Sequence, residues 1–335
     1  MIDTKKRVFG RWRWIVGVIG MLGLFLAVAS DVVAGELLAK RVVLDNGLTL
    51  LVSEKQALPI VTVQVLIKAG SVLELKDKAG LANLAAELLT RGTKTRSALE
   101  ISGAIEFVGG SLASWGGADS APASLTVLKK DLDLGLDLLA DILLNPVFAE
   151  EEIQRKVKET LAAIRKKQEE PGVVAEEALD TLVFGDHPYG RPVEGAEESL
   201  PRITRTDLQT FHATSYRPER TIVAVVGDVG VEEIVAKFKA RFGAWRRGDV
   251  PEPVLLSPPP LDGLKVKKIN KDLTQANIAL GHLGISRGNP DYYAVQVMNY
   301  ILGSGGFASR LMTNIREEKG WAYDIDSTFV ARLQP

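Results

Sequence analysis

From residue 40 to 66 apolar and polar positions alternate, KRVVLDNGLTLLVSEKQALPIVTVQVL. A period of two is the pattern of strands with one buried face. Asp45-Asn46-Gly47 fits a hairpin turn between two short strands, and Pro59 separates them from a third, VTVQVLI. After Gly70 and the charged ELKDK stretch the period lengthens. AGLANLAAELLTRGTKT, from Ala79, places Leu81, Leu84, Leu88 and Leu89 on one face of a helix. SALEISGAIEFVG predicts a second short helix ending at Gly109-Gly110, and GSLASWGGADSAPASLTVL a hairpin of two strands. Three helices follow: KKDLDLGLDLLADILLNPVF, stopped by Asn145-Pro146; FAEEEIQRKVKETLAAIRKKQEEP, stopped before Pro171; and GVVAEEALDTLVFG. Another begins near Thr206-Asp207. TIVAVVGDV reads as a strand and VEEIVAKFKARFG as the helix after it.

Between Trp245 and Lys265 the composition shifts to RRGDVPEPVLLSPPPLDG, with three consecutive prolines. Such a stretch is stiff and extended, and it marks 248–264 as a linker. Beyond it the order begins again. GLKVKKIN and TQANIALGHLGI are strand-like, and NPDYYAVQVMNYILG is helical, with Asn289-Pro290 at its start. This repeats the strand-then-helix order of the first part and predicts a duplicated α+β unit. The first unit is expected over 38–247. The second is expected over 265–335 and reads as truncated, since it stops at IDSTFVARLQP just after a predicted strand.

Composition narrows the function classes. The chain has 335 residues, 46% of them hydrophobic, enough for two cores. Its 41 basic and 42 acidic residues leave a formal charge of -1, so nothing in the balance calls for nucleic acid. Without cysteine there is no disulfide, no thiolate metal site and no Cys nucleophile. At the N-terminus, Lys5, Lys6, Arg7, Arg11 and Arg13 precede an apolar run from Ile15 to Ala29, and Ala34 follows. This is the layout of a secretory signal peptide over 1–34, short for a membrane span. The expected location is the periplasm of a Gram-negative bacterium; the alternative is a retained anchor in the inner membrane, facing the periplasm.

The leucine-faced helix raises the question of metal chemistry. A zinc peptidase can place two imidazoles four residues apart on a helix, with a glutamate beside them to take a proton from bound water. In the inverted pattern this reads H-x-x-E-H. The window Asn83-Leu84-Ala85-Ala86-Glu87 has the helix without the donors. AGLANLAAELLTRGTKT resembles the signature of the pitrilysin-type (inverzincin, M16) peptidases, in which such a helix leads into a Gly-Thr turn. DNGLTLLV, HPYGRP and ILGSGGFASRLMTNIREEKGWAYDI resemble the same family, which includes the mitochondrial processing peptidase. The resemblance spans nearly all of 40 to 330.

That resemblance implies an α+β fold of duplicated pitrilysin/LuxS-type sandwich units, each an antiparallel-rich sheet packed against helices, the second incomplete. It places the family's ligand histidines on Asn83 and Glu87 and its general base on Ala86. The third ligand falls on Ala163, with Ala162 as the neighbouring alternative. All four positions depart from the pattern, so no zinc is expected in this chain. Glu159, Glu169 and Glu170 are acids of an exposed helix. Glu87 reads as a solvated helix residue and Asn83 as a polar edge.

The resemblance also matches Arg316 and Tyr323 in REEKGWAY to an Arg/Tyr pair that holds substrate backbone near the zinc of the opposite half. Arg offers a fixed fork of donors and Tyr a donor on a rigid ring, and the two would have to converge across Gly320. His187, His212 and His282 stand apart in sequence and read as structural. Ser114, Asp119 and Ser120 have no base histidine beside them, so a serine triad has no support. The expected function is a non-catalytic, substrate-positioning subunit of an exported heterodimeric peptidase. Its partner would be a homologous M16 subunit with intact H-x-x-E-H that carries the zinc, and its ligands unfolded or extended peptides, not nucleic acid. The alternatives are a non-enzymatic binding or scaffold protein of the same fold, or a truncated inactive homologue.

Overall fold

The computed structural model describes residues 38–248, 257–260 and 262–334. The signal-like segment and most of the proline-rich linker lie outside the described residues. The described residues from Arg41 onward belong to one compact unit.

Six strands form one mixed sheet: β1 (Lys40–Val43), β2 (Thr49–Glu54), β3 (Ile60–Ile67), β4 (Ser111–Ser114), β5 (Ala121–Leu128) and β6 (Thr221–Gly227). Their order is β1-β2-β6-β3-β5-β4. β6 runs parallel to β2, while the β3–β6, β3–β5 and β4–β5 pairs are antiparallel. The turn between β1 and β2 is closed by Leu44 N–H donating to the Leu48 carbonyl at 2.9 Å. Gly47 takes φ +89°, a conformation that favours glycine.

The alternation read from the sequence becomes one buried face. Val61, Val63, Val65 and Ile67 of β3, Leu125 and Val127 of β5, and Val223 and Val225 of β6 all point into it. The helices are α1 (Leu81–Leu88), α2 (Ala98–Phe107), α3 (Leu132–Leu144), α4 (Glu150–Lys167), α5 (Pro171–Phe184), α6 (Arg205–Ser215), α7 (Val231–Phe242) and α8 (Tyr292–Asn299). α1 and α3 pack on β5, α7 packs on β2, and α1 also meets α4 and α6. Leu81, Leu84, Leu88 and Leu89 all enter the shared core, as the helical period requires. The result is an α+β sandwich of a mixed, mostly antiparallel sheet against helices.

The part after the linker is less complete. α8 forms, followed by wider helical turns over Tyr300–Ser304 and Met312–Glu318. The strands expected in GLKVKKIN, in TQANIALGHLGI and after Tyr323 do not form among the described residues. Leu264, Val266, Ile278 and Leu280 are almost fully exposed. Alternation alone does not make a strand, because the ladder bonds need a neighbour, and none of the described strands lies beside these segments.

Candidate functional site

The start of α1 is held by a nearby carboxylate and by a hydroxyl distant in sequence. Gly80 has φ +95°, and the Glu74 carboxylate caps the helix start, accepting from Gly80 N–H (3.0 Å) and Ala82 N–H (2.5 Å). Ser199 Oγ donates to the Ala79 carbonyl at 2.7 Å. Burial pushes the Glu74 carboxyl up to about 7, against the lowering pull of those two N–H groups and of Arg191.

On the next turn Asn83 and Glu87 share one side of the helix. Asn83 Nδ2 donates to Glu87 Oε2 at 3.3 Å, and Asn83 Oδ1 accepts from Gly116 N–H at 3.1 Å. The β4–β5 turn lies so close that a Cβ on Gly116 would stand 2.4 Å from Asn83 Cα. Ser114 Oγ donates to the Ala86 carbonyl at 2.6 Å. On the facing helix α4, Lys156 Nζ lies 3.1 Å from Glu87 Oε2 and 3.8 Å from Glu159 Oε2. Glu87 and Asn83 are therefore partnered and half-buried, which corrects the expectation of a solvated residue and a polar edge. Their environment is set by β4, the β4–β5 turn and α4, none of which is visible in the helix's own pattern.

Ala86 is fully buried within the main core and presents only a methyl group. Ala163 lies about two turns beyond Lys156 on α4, exposed, with no donor atom. Among the described residues no group of three or more His, Cys, Asp or Glu side chains is placed to hold a metal ion. The donors at the α1 positions are an amide and a carboxylate, and that carboxylate is engaged by an ammonium. This set does not fit a catalytic zinc, which needs three protein ligands and an open position.

The histidines are separate. His212 is partly buried, its Nε2–H donating to the Leu143 carbonyl at 3.0 Å, and loss of solvent around the ring pushes it down to about 4, so it stays neutral at pH 7. His187 caps a short turn, its Nδ1 accepting from Tyr189 N–H at 3.1 Å. His282 is exposed, and its Nδ1 meets the carbonyl of the neighbouring Leu283 at 2.6 Å. Arg316 and Tyr323 come together across Gly320: the Arg316 guanidinium lies 5.0 Å from the Tyr323 ring centre and 5.0 Å from that of Phe307. Tyr323 is largely exposed.

Nothing in the sequence singles out Lys156 or Glu74. Lys156 is one cation in a highly charged helix, and Glu74 sits in a charged loop. Neither position carries a local signal.

A mixed sheet packed against helices, with a helical site that lacks a metal-holding cluster among the described residues, defines a peptidase-like α+β protein without the peptidase's donors. Two family models match the chain: "Insulinase (Peptidase family M16)" over residues 50–197 and "Peptidase M16 inactive domain" over 202–333. An uncharacterized zinc protease of Mycobacterium leprae is 35% identical over 289 residues, covering 86% of this chain and 65% of that protein. One from Rickettsia bellii is 32% identical over 285 residues, covering 85% and 68%. The chain thus spans about two thirds of the length of these relatives. Among solved structures, the peptidase M16 inactive domain from Pseudomonas fluorescens aligns with a TM-score of 0.78 at 26% identity, over 88% of this chain and 71% of that one. The periplasmic protease PqqL from Escherichia coli shares the fold, with a TM-score of 0.62 at 17% identity over 67% of this chain and 26% of that one. The chain belongs to the M16 peptidase family, as a member without its metal-binding residues.

Proposed function

We propose that this protein is a non-enzymatic, peptide-binding member of the M16 family. The observation that carries the reading is the Asn83–Glu87–Lys156 arrangement. An organic cation, fixed on α4, holds the carboxylate that stands at a ligand position, so the helix is braced instead of metallated. The fold's peptide-handling surface is kept while the cutting chemistry is not. The N-terminal composition supports export, and the shared fold with a periplasmic protease agrees with it.

A second reading is favoured by the convergence of Arg316 with Tyr323. In it the chain is the substrate-positioning subunit of a heterodimer, with a homologous M16 subunit carrying intact H-x-x-E-H. Arg316 and Tyr323 would then orient extended substrate backbone beside the partner's centre.

The test is to purify the chain, measure its metal content, and assay binding and cleavage of unfolded peptides, alone and with a homologous subunit bearing the signature. Peptide binding without zinc or cleavage is the expected result for the chain alone. A rise in the partner's cleavage on adding this chain, lost in Arg316→Ala, would select the heterodimer. Stoichiometric zinc with cleavage abolished by Glu87→Gln would overturn both readings.

A further inference from the structure

A second cluster lies at the end of α5 and the turn that follows, where Phe184, His187 and Tyr189 form an aromatic group. The Phe184 and Tyr189 rings meet edge to face at 5.6 Å, and His187 lies 4.7 Å from Tyr189. Tyr189 OH donates to Asp119 Oδ1 at 2.5 Å, which ties the turn to the β4–β5 loop. Burial and that carboxylate push the Tyr189 phenol well above its ordinary range, so it remains a donor.

Three successive residues of the chain's own later part are gripped by this cluster, each through a different group. The Arg332 guanidinium lies 4.5 Å from the Tyr189 ring centre and 5.7 Å from that of Phe184, and its Nη1 donates to the Tyr189 carbonyl at 3.4 Å. Leu333 N–H donates to Asp119 Oδ2 at 3.2 Å. His187 Nδ1 already accepts a backbone N–H, so the ring proton sits on Nε2 and is donated to Gln334 Oε1 at 3.1 Å. The surrounding charge suits a cation: Asp180 on α5 is half-buried, and Arg332 pulls its carboxyl down against the larger upward effect of burial.

The arrangement is that of a peptide subsite: rings for a guanidinium face, a carboxylate for a main-chain N–H, and an imidazole for the next side chain. Arginine fits better than lysine, because a planar guanidinium stacks on an aromatic face while its edge donates to a carbonyl. We propose that the Asp119–His187–Tyr189 pocket is a binding site for arginine-bearing extended peptides, and that residues 332–334 of the same chain occupy it and compete with ligand. This rests on the peptide-binding reading above and names the class of peptide; it needs no partner subunit and no metal.

A tethered segment competes at an effective concentration on the order of millimolar, so displacing it should uncover the site. The experiment titrates the labelled peptide acetyl-Ala-Arg-Leu-Gln-amide into the full chain, following fluorescence anisotropy, with Arg332→Ala and the milder Arg332→Lys as variants and circular dichroism as the folding check. Arg332→Ala should bind the peptide about tenfold tighter or more than the unaltered chain does, with Arg332→Lys between them. Adding Asp119→Asn to Arg332→Ala should reverse the gain, and an Ala-Ala-Leu-Gln peptide should bind about tenfold more weakly than the arginine peptide. If neither Arg332 variant binds the arginine peptide better than the unaltered chain, or the two peptides bind alike, the pocket is internal packing and the inference fails. Binding of a generic unfolded protein, measured in parallel, reports on the peptide-binding reading separately and survives that failure.

Discussion

Lys156 Nζ lies 3.1 Å from Glu87 Oε2, an ammonium on one helix meeting a carboxylate on another, at a position that the sequence resemblance matches to a metal ligand. Both side chains are about three-quarters or more covered, so the pair is screened less than a surface pair, though it is not fully desolvated. A positive charge at this point serves the packing of α1 on α4 and opposes a second cation beside it.

The pair should show a measurable coupling. Lys156→Met and Glu87→Gln, singly and combined, should give an interaction energy of about 0.5–1 kcal/mol by urea unfolding, shrinking as salt is raised. A coupling of zero at low salt would mean that the two groups are independently solvated.

Glu74 makes the start of α1 sensitive to pH. Its folded value, raised to about 7 by burial, exceeds the ordinary carboxylate value of 4.5. Between these two values the folded state binds the extra proton, so Glu74's contribution is full below pH 4.5 and is lost as pH rises through 7. Relative to Glu74→Gln, the unaltered protein should lose up to about 3 kcal/mol between pH 4.5 and 8, as measured by chemical denaturation at a series of pH values. Parallel profiles for the two proteins would remove Glu74 as the cause.

Asp141 should behave in the opposite sense. Burial raises its carboxyl, but Thr93, Thr95, Arg96 and Asn145 together overcome that and hold it below the usual range. Three of the bonds, from Thr93, Thr95 and Arg96, converge on Oδ2 at 2.7 Å each. Its stabilisation is present above the ordinary Asp value and disappears as pH falls through the lowered one. Asp141→Ala leaves the buried Thr93 hydroxyl without its acceptor, frees the more exposed Thr95 and Arg96 donors, and should cost about 1–3 kcal/mol at pH 7, seen as a lowered unfolding midpoint.

Gly116 is a steric test of how the β4–β5 turn seats on α1. An added Cβ would press on Asn83 Cα at 2.4 Å, and backbone cannot step aside as a flexible side chain can. Gly116→Ala should lower stability by about 1–3 kcal/mol, whereas Gly103→Ala, where a Cβ meets nothing within 4 Å, should not destabilise the protein. Equal thermal midpoints for the two variants would contradict the close approach.

Most elements of the first part were legible because their signals are local. Period-two runs such as VTVQVLI and period-three-and-four runs such as LANLAAELL report which face is apolar, and a turn such as Asp45-Asn46-Gly47 reports its own backbone demand. The same logic failed after the linker. Leu264 to Leu280 alternates well enough, yet a strand is a relation between two segments and no described strand lies alongside.

That Asn83, Ala86 and Ala163 carry no imidazole or carboxylate could be read directly, since whether a side chain has a ligand atom is a property of the residue itself. What surrounds Glu87 could not be read that way. Lys156 on Glu87 and Asp119 between Tyr189 and Leu333 join residues far apart in the chain, Glu74 reaches the α1 amides six and eight positions on, and many charged residues could have made each bond. Only the packing of α1 against α4 and the β4–β5 turn selects among them, because hydrogen bonds and ion pairs act over a few ångströms and chain order sets no such distance.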